Sequence, residues 1–415
     1  MEKKKKTNSK FNIKKLFIIL LVLTFLTGCS LSSSNSSDNN SESSIDADAS
    51  KILDNLSNID TDISSELIFL YTDELTYATC FRIDRYENGY ILLSVIDGSR
   101  YLCIPDGGDV PNDLDDDIMV IKSPSKSYVA ASNVADYIVS MNSIDKILFS
   151  SLIESDWKLE DMAQAMHDGD ISYAGKYSTP DYELLLSSRC DLAIENTMIL
   201  HTPDVREKLI ELGIPVIVDY SSYEDSPLGR CEWIKFYGCI YGEEENADKA
   251  FLSTKKEVES VIDNVSEERQ EANLDAKNNQ NVIIFYVTSS GMISVRNEDD
   301  YLSKMVELSG GSVNVSNINT SNKSSQTMQI EDFYVIAKDA DILIYDTTID
   351  DSIKSLSDIV DKNELFADFS AVKNKKVYIF GNSIYQNPMS AGYIMQDLYA
   401  ILHGESVTDN FYLLS

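Results

Sequence analysis

Between Glu243 and Lys277 the chain runs EEENADKAFLSTKKEVESVIDNVSEERQEANLDAK, with no glycine and no proline. Ala250, Phe251, Val258, Val261, Ile262 and Val265 recur at roughly helical spacing, and charged residues fill the positions between them. About 35 residues at 1.5 Å each predict a rod on the order of 50 Å long. Such a helix either lies along one domain or acts as a strut between two, so what flanks it decides.

Both flanks carry the same pattern. Before the rod, strand-length apolar runs at Tyr128–Ala131, Ile147–Leu152, Asp191–Ile194 and Pro215–Val218 alternate with helical stretches at Val134–Met141, Leu159–Asp168 and Asp204–Leu212. After it, Val282–Val287, Val313–Val315, Asp341–Tyr345 and Lys376–Phe380 alternate with Tyr301–Leu308, Glu331–Lys338 and Ser390–His403. Short buried strands separated by helices imply parallel sheets covered on both faces. The fold class expected is α/β: two Rossmann-like lobes with parallel sheets, joined by one long rigid helix. An echo supports the pairing of lobes. Thr179-Pro180-Asp181-Tyr182-Glu183 precedes Asp191-Leu192-Ala193-Ile194, and Thr327-Met328-Gln329-Ile330-Glu331 precedes Asp341-Ile342-Leu343-Ile344. Each reads as a Thr-capped helix with a Glu in its first turn, followed by a strand led by Asp.

Residues 51–125 differ from both lobes. Strand candidates at Thr76–Ile83, Tyr90–Ile96 and Tyr101–Ile104 are separated by the hairpin signals Asn88-Gly89 and Asp97-Gly98. This stretch is expected to be a β-rich extension packed on the first lobe. Upstream, Ser30–Ser50 (SLSSSNSSDNNSESSIDADAS) is polar and low in complexity, which suits a flexible tether with a reach on the order of 25 Å. Residues 1–28 place seven lysines before the apolar run Leu16–Thr27, as a secretory signal does. Leu26-Thr27-Gly28-Cys29 resembles the lipobox of bacterial lipoproteins, which implies cleavage before Cys29 and acylation of its thiol. Several acyl chains would anchor the protein firmly on the outer face of the cell membrane. The organisation expected is therefore signal 1–28, tether 29–50, extension 51–125, first lobe 126–242, connecting helix 243–280 and second lobe 281–415.

A formal net charge of −33 argues against nucleic acid as a partner, because phosphate binding needs a basic face. Beyond Gly28 the imbalance is sharper, with 28 basic residues against 67 acidic. Cys80, Cys103, Cys190, Cys231 and Cys239 show no Cys-x-x-Cys pair, so no disulfide is expected. No G-x-S-x-G, G-x-x-x-x-G-K-[ST] or G-x-G-x-x-G motif is present, and His167, His201 and His403 read as surface or capping residues. Catalysis and an intrinsic cofactor or metal site are not expected.

From about Lys126 to Leu414 the chain resembles the substrate-binding lipoproteins of ABC importers for iron complexes, haem and cobalamin. The residues that carry the likeness are Pro180-Asp181-Tyr182-Glu183, Leu212-Gly213-Ile214-Pro215-Val216, Ser222-Tyr223-Glu224-Asp225-Ser226-Pro227-Leu228-Gly229-Arg230, the strut and Leu308-Ser309-Gly310-Gly311. The resemblance implies a monomer whose partners are a small-molecule metal chelate and a permease dimer with its cytoplasmic ATPase. It also implies that Glu183 and Glu331, one on each lobe, dock into Arg-lined pockets of the permease, where charge complementarity sets register. A surface receptor or sensor without transport is the alternative, and an enzyme a remoter one.

A ligand held between the lobes meets the carboxyl ends of the strands. The loops there offer Ser132, Asn133, Lys176, Tyr177, Asn196, Thr197, Ser221, Tyr223, Glu224 and Arg230 from the first lobe. The second lobe offers Ser289, Ser290, Arg296, Asp346, Thr347, Asn382, Tyr385 and Gln386. Tyr223 and Tyr385 supply flat faces, while Arg230 and Arg296 could take carboxylate or catecholate oxygens bidentately. On that basis an anionic ferric chelate, a ferric siderophore, is the ligand expected, with haem or cobalamin possible.

Overall fold

The computed structural model describes residue 56 and residues 60–272, 279–315, 324–381, 384–407 and 410–415. The signal, Cys29 and its tether, the end of the long helical run and Asn382 lie outside the described residues.

The extension is a five-stranded sheet of β1 (Phe69–Thr72), β2 (Phe81–Tyr86), β3 (Ile91–Val95), β4 (Arg100–Cys103) and β5 (Ile118–Ile121) in that order. β1 to β4 pair antiparallel and β5 joins β4 in parallel. Asn88 and Gly89 turn the β2–β3 hairpin with φ of 61° and 82°, the left-handed conformation that this pair of residues tolerates. Strand alternation puts Phe81, Ile83, Leu93 and Tyr101 into the main core beside Trp233 and Phe236. Tyr86, Leu92 and Leu102 face the other way, into a small cluster with Ile63 and Ile118. Both faces of β2 to β4 are thus buried, while the edge strand β1 is exposed. Its first predicted strand is shorter than expected, starting at Phe81 rather than Thr76. The amides of Thr76 to Cys80 are bound by two carboxylates of the first lobe, which takes them out of any ladder.

The first lobe is a five-stranded, all-parallel sheet in the order β12-β11-β6-β7-β8. Its strands are β6 (Ser127–Val129), β7 (Ile147–Ser150), β8 (Ser172–Tyr173), β11 (Leu192–Asn196) and β12 (Val216–Asp219). A two-residue hairpin, β9 (Gly175–Lys176) with β10 (Thr179–Pro180), projects beyond β8. The second lobe is mixed: β13 (Val282–Val287), β16 (Ile342–Tyr345) and β17 (Val377–Phe380) are parallel. They are flanked by antiparallel β14 (Ile293–Arg296), β15 (Ser325–Met328) and β18 (Phe411–Leu413). Val313 and Val315 are buried but form no strand; the contact there is a single bridge from Asn281 to Ser312.

The strut is the helix Glu244–Ala272, 29 residues long, preceded by a second helix, Pro227–Tyr241. Gly242 turns between them with φ 70°. The strut packs against Pro227–Tyr241 from the first lobe and against Ala391–His403 from the second. Glycines let both neighbours close in. A Cβ on Gly238 would stand 2.7 Å from the Ala247 Cβ, and one on Gly392 would stand 2.4 Å from the Glu257 Cβ. The rod is clamped on two sides, and one core runs from the extension through both lobes.

Candidate functional site

Glu183 and Glu331 are each the second residue of a short helix, Tyr182–Ser187 and Ile330–Ala337, and both are exposed. The expected Thr caps are corrected. Thr179 is paired in β10, and the first helix is capped by Asp181, whose Oδ1 accepts from the Leu184 N–H at 3.0 Å. Thr327 lies in β15, and the second helix starts after Gln329 with no side-chain cap. An extended backbone at each Thr removes it from the capping position, while the Glu stays in the first turn of both helices.

The carboxyl edge of the first lobe is organised on Asp219, the last residue of β12 and 3% exposed. The Ser221 hydroxyl donates to its Oδ1 at 2.6 Å, the Asn133 amide at 3.0 Å, and the Tyr237 hydroxyl donates to Oδ2 at 2.8 Å. Burial pushes the Asp219 carboxyl up, and the donors from Ser221, Asn133 and Tyr237 oppose it. Asn133 and Ser221 are therefore brought together, at 2.9 Å, around an acid that sequence reasoning passed over. Asn196 caps the next turn through the Met198 N–H at 2.9 Å. Ser132 and Thr197 are half-buried at the starts of their helical turns. Lys176 is exposed on β9, Tyr177 packs partly on the core, and Tyr223 is exposed with its ring 5.3 Å from that of Tyr220.

In the second lobe Asp346, just past β16, plays the equivalent part. The Thr348 N–H bonds its Oδ1 at 3.2 Å, and the Tyr385 hydroxyl reaches its Oδ2 at 3.1 Å. Asp219-Tyr220-Ser221 and Asp346-Thr347-Thr348 are the same device, an acid ending an apolar strand and holding the hydroxyl residue two places on. Arg296 joins the second cluster, pairing with Asp346 at 2.8 Å and Asp300 at 3.3 Å and donating to the Tyr385 hydroxyl at 2.5 Å. Burial would lower the Arg296 pKa, and facing Tyr385, Asp300 and Asp346 more than reverse it. Thr347 is buried, its hydroxyl donating to the Phe380 carbonyl at 2.7 Å. Ser289 and Ser290 are exposed at the β13–β14 turn, where the Ser290 and Thr288 hydroxyls lie 3.0 Å apart.

These edges face each other. Gln386, after β17, accepts from the Lys158 N–H at 2.7 Å and donates to the Asp156 carbonyl at 3.0 Å, both in the first lobe beyond β7. Deeper in, Asp136 accepts from the Met389 N–H at 2.7 Å and the Cys231 thiol donates to the Pro388 carbonyl at 3.2 Å. Burial pushes the Asp136 carboxyl up to about 7. The Arg230 guanidinium lies 3.7 Å over the ring of Tyr301, and donates to the Ser222 carbonyl at 2.9 Å. Arg230 of the first lobe and Arg296 of the second are thus linked through the neighbours Tyr301 and Asp300.

Glu224, expected to face the ligand, is placed otherwise. It is 2% exposed and accepts from the Thr79 and Cys80 amides, the Thr79 hydroxyl and the Trp233 indole, all at 2.8–3.0 Å. Glu232 does the same for Thr76, Tyr77 and Ala78, and pairs with Lys235 at 3.2 Å. Two acids at the start of the helix Pro227–Tyr241 fasten the extension to the lobe. The sequence signal for this is a Glu just before an apolar helix and another within it, eight residues on.

A family model described as periplasmic binding protein matches residues 143–383, more than half of the chain. An uncharacterized lipoprotein of Methanocaldococcus jannaschii is 27% identical over 344 residues, covering 79% of this chain and 82% of the relative. The fold is similar to that of a periplasmic haem-binding protein from Pseudomonas aeruginosa, with TM-score 0.56, 14% identity, and coverage of 70% of this chain and 98% of that one. It is also similar to a siderophore-binding protein solved with two molecules of acinetobactin and ferric iron, at TM-score 0.52 and 17% identity over 68% of this chain and 94% of that one. With two lobes on one helix and this match across both of them, the chain belongs to the periplasmic binding protein family.

Proposed function

We propose that this protein is a lipid-anchored receptor that captures a metal chelate between its lobes and hands it to an ABC permease. The observation that carries the reading is the meeting of two carboxyl edges across one cleft, bridged by Gln386 and by Arg230 on Tyr301. Open α/β sheets bind ligands at those edges. Solved relatives of the fold named for haem and for a ferric siderophore support an iron complex as cargo. Anchoring through Cys29 rests on the lipobox-like run, and the lipoprotein name of the archaeal relative agrees with it. Glu183 and Glu331, exposed once per lobe on a frame clamped to one strut, are the contacts proposed for the permease. The test is a thermal-shift screen of the purified protein with ferric siderophores, haem and cobalamin. A ligand at 100 times its Kd adds about 2.7 kcal/mol, a readily measured shift. Stabilisation by one of these chelates is the expected result; a shift with sugars or peptides alone would refute the cargo.

A further inference from the structure

We infer that the cleft selects a chelate that is neutral or positively charged overall and rejects polyanionic ones. This rests on the reading of the cleft as a metal-chelate site. Recognition of a polyanion needs guanidinium or ammonium groups whose donors are open to it. Here Arg296 and Arg230 are each held in place by groups of the protein itself. Arg296 is held by two carboxylates, Asp346 at 2.8 Å and Asp300 at 3.3 Å, so its pairing leaves a surplus negative charge. Arg230 is stacked on Tyr301 at 3.7 Å, with its Nε–H directed to the Glu224 carbonyl at 3.4 Å and an Nη2–H to the Ser222 carbonyl at 2.9 Å. Asp219 adds a third buried acid, met by hydroxyl and amide donors. The ammonium groups of Lys158 and Lys176 are exposed and screened by solvent, with Asp156, Glu160 and Asp181 close by in the chain.

To accept a triply negative chelate, the cleft would have to break the Arg296–Asp346 pair and leave a buried carboxylate facing like charge. A neutral or cationic chelate needs no such exchange. It meets hydroxyls at Ser132, Thr197, Ser289 and Ser290 and the ring of Tyr223.

The experiment compares two iron(III) complexes on the purified full chain by quenching of tryptophan fluorescence. One is a trihydroxamate, neutral or singly positive; the other is a tricatecholate, carrying three negative charges. The expected result is trihydroxamate affinity at least about tenfold tighter. Asp346→Asn and, as a second variant should the first fail to fold, Asp300→Asn release Arg296 and are expected to narrow that ratio by strengthening tricatecholate binding. Equal or tighter tricatecholate binding by the parent chain would overturn the inference and leave the receptor reading standing. Failure of both complexes, and of haem and cobalamin, to bind the folded protein would overturn the receptor reading and the inference with it.

Discussion

Replacing Glu224 by alanine tests whether the extension is fastened to the first lobe by buried carboxylates. The side chain receives the Cys80 N–H at 2.8 Å and the Trp233 indole N–H at 2.9 Å, both donors belonging to buried residues. Thr79 contributes a further amide and a hydroxyl at 3.0 Å or less. In Glu224→Ala the two buried donors lose their acceptor, and each such loss costs about 1–3 kcal/mol, so the segment should be loosened by about 4 kcal/mol. At about 1.4 kcal/mol per decade, the amides of residues 76–80 should exchange with solvent on the order of a thousandfold faster. Glu224→Gln keeps one oxygen as acceptor and should fall well short of that change. Hydrogen exchange read by mass spectrometry resolves the segment, and urea unfolding reads the whole chain. Exchange at 76–80 within tenfold of the parent in Glu224→Ala would refute the fastening. If instead exchange quickened everywhere alike, the extension would not be a separate unit hung on these acids.

Three further outcomes follow from the geometry. Gln386→Ala removes both hydrogen bonds across the mouth, and at about 1 kcal/mol each it should weaken chelate binding about tenfold or more, measured by fluorescence titration. Asp136 has its carboxyl raised from 3.8 to about 7, so the folded chain holds the extra proton. Its contribution to stability is complete below about pH 3.8 and is lost as pH rises through about 7. Asp136→Asn keeps an acceptor for Met389 but cannot ionise. It should therefore gain up to about 4 kcal/mol over the parent at pH 8 and nothing at pH 4, read by urea unfolding at the two pH values. Gly392→Ala puts a methyl 2.4 Å from the Glu257 Cβ and should destabilise by about 1–3 kcal/mol through forced separation of strut and C-terminal helix. An unchanged urea midpoint would show that this contact gives way freely.

The two lobes, the strut and the extension were legible because their apolar runs have clear periods. Tyr301–Leu308 and Val282–Val287 appear with the bounds read from sequence. What escaped has physical causes. Ser172–Tyr173 is an edge of two residues, and Ser325–Met328 is polar along its length, so neither shows an apolar period. The helix Pro227–Tyr241 is apolar on nearly every side because it is buried between the extension, the lobe and the strut; with no polar face it carries no amphipathic signal. At the carboxyl edges, strand ends read from sequence determine where Asn133, Ser221, Asp346 and Tyr385 lie. It did not reveal which charges were already paired. Arg296 looked available in sequence because Asp346 is 50 residues away, and Glu224 looked available because the amides it binds are 145 residues upstream.

The central claim is that the protein receives a chelate and delivers it to a permease through one acid on each lobe. It is tested most directly by measuring uptake of radioactive iron chelate in cells carrying Glu183→Lys together with Glu331→Lys, beside chelate binding by the same purified variant. Both residues are exposed, and the second lies 148 positions beyond the first on the far side of the strut. The account predicts that uptake is lost while binding stays within about twofold of the parent. Uptake at the parental rate in the double variant would contradict it.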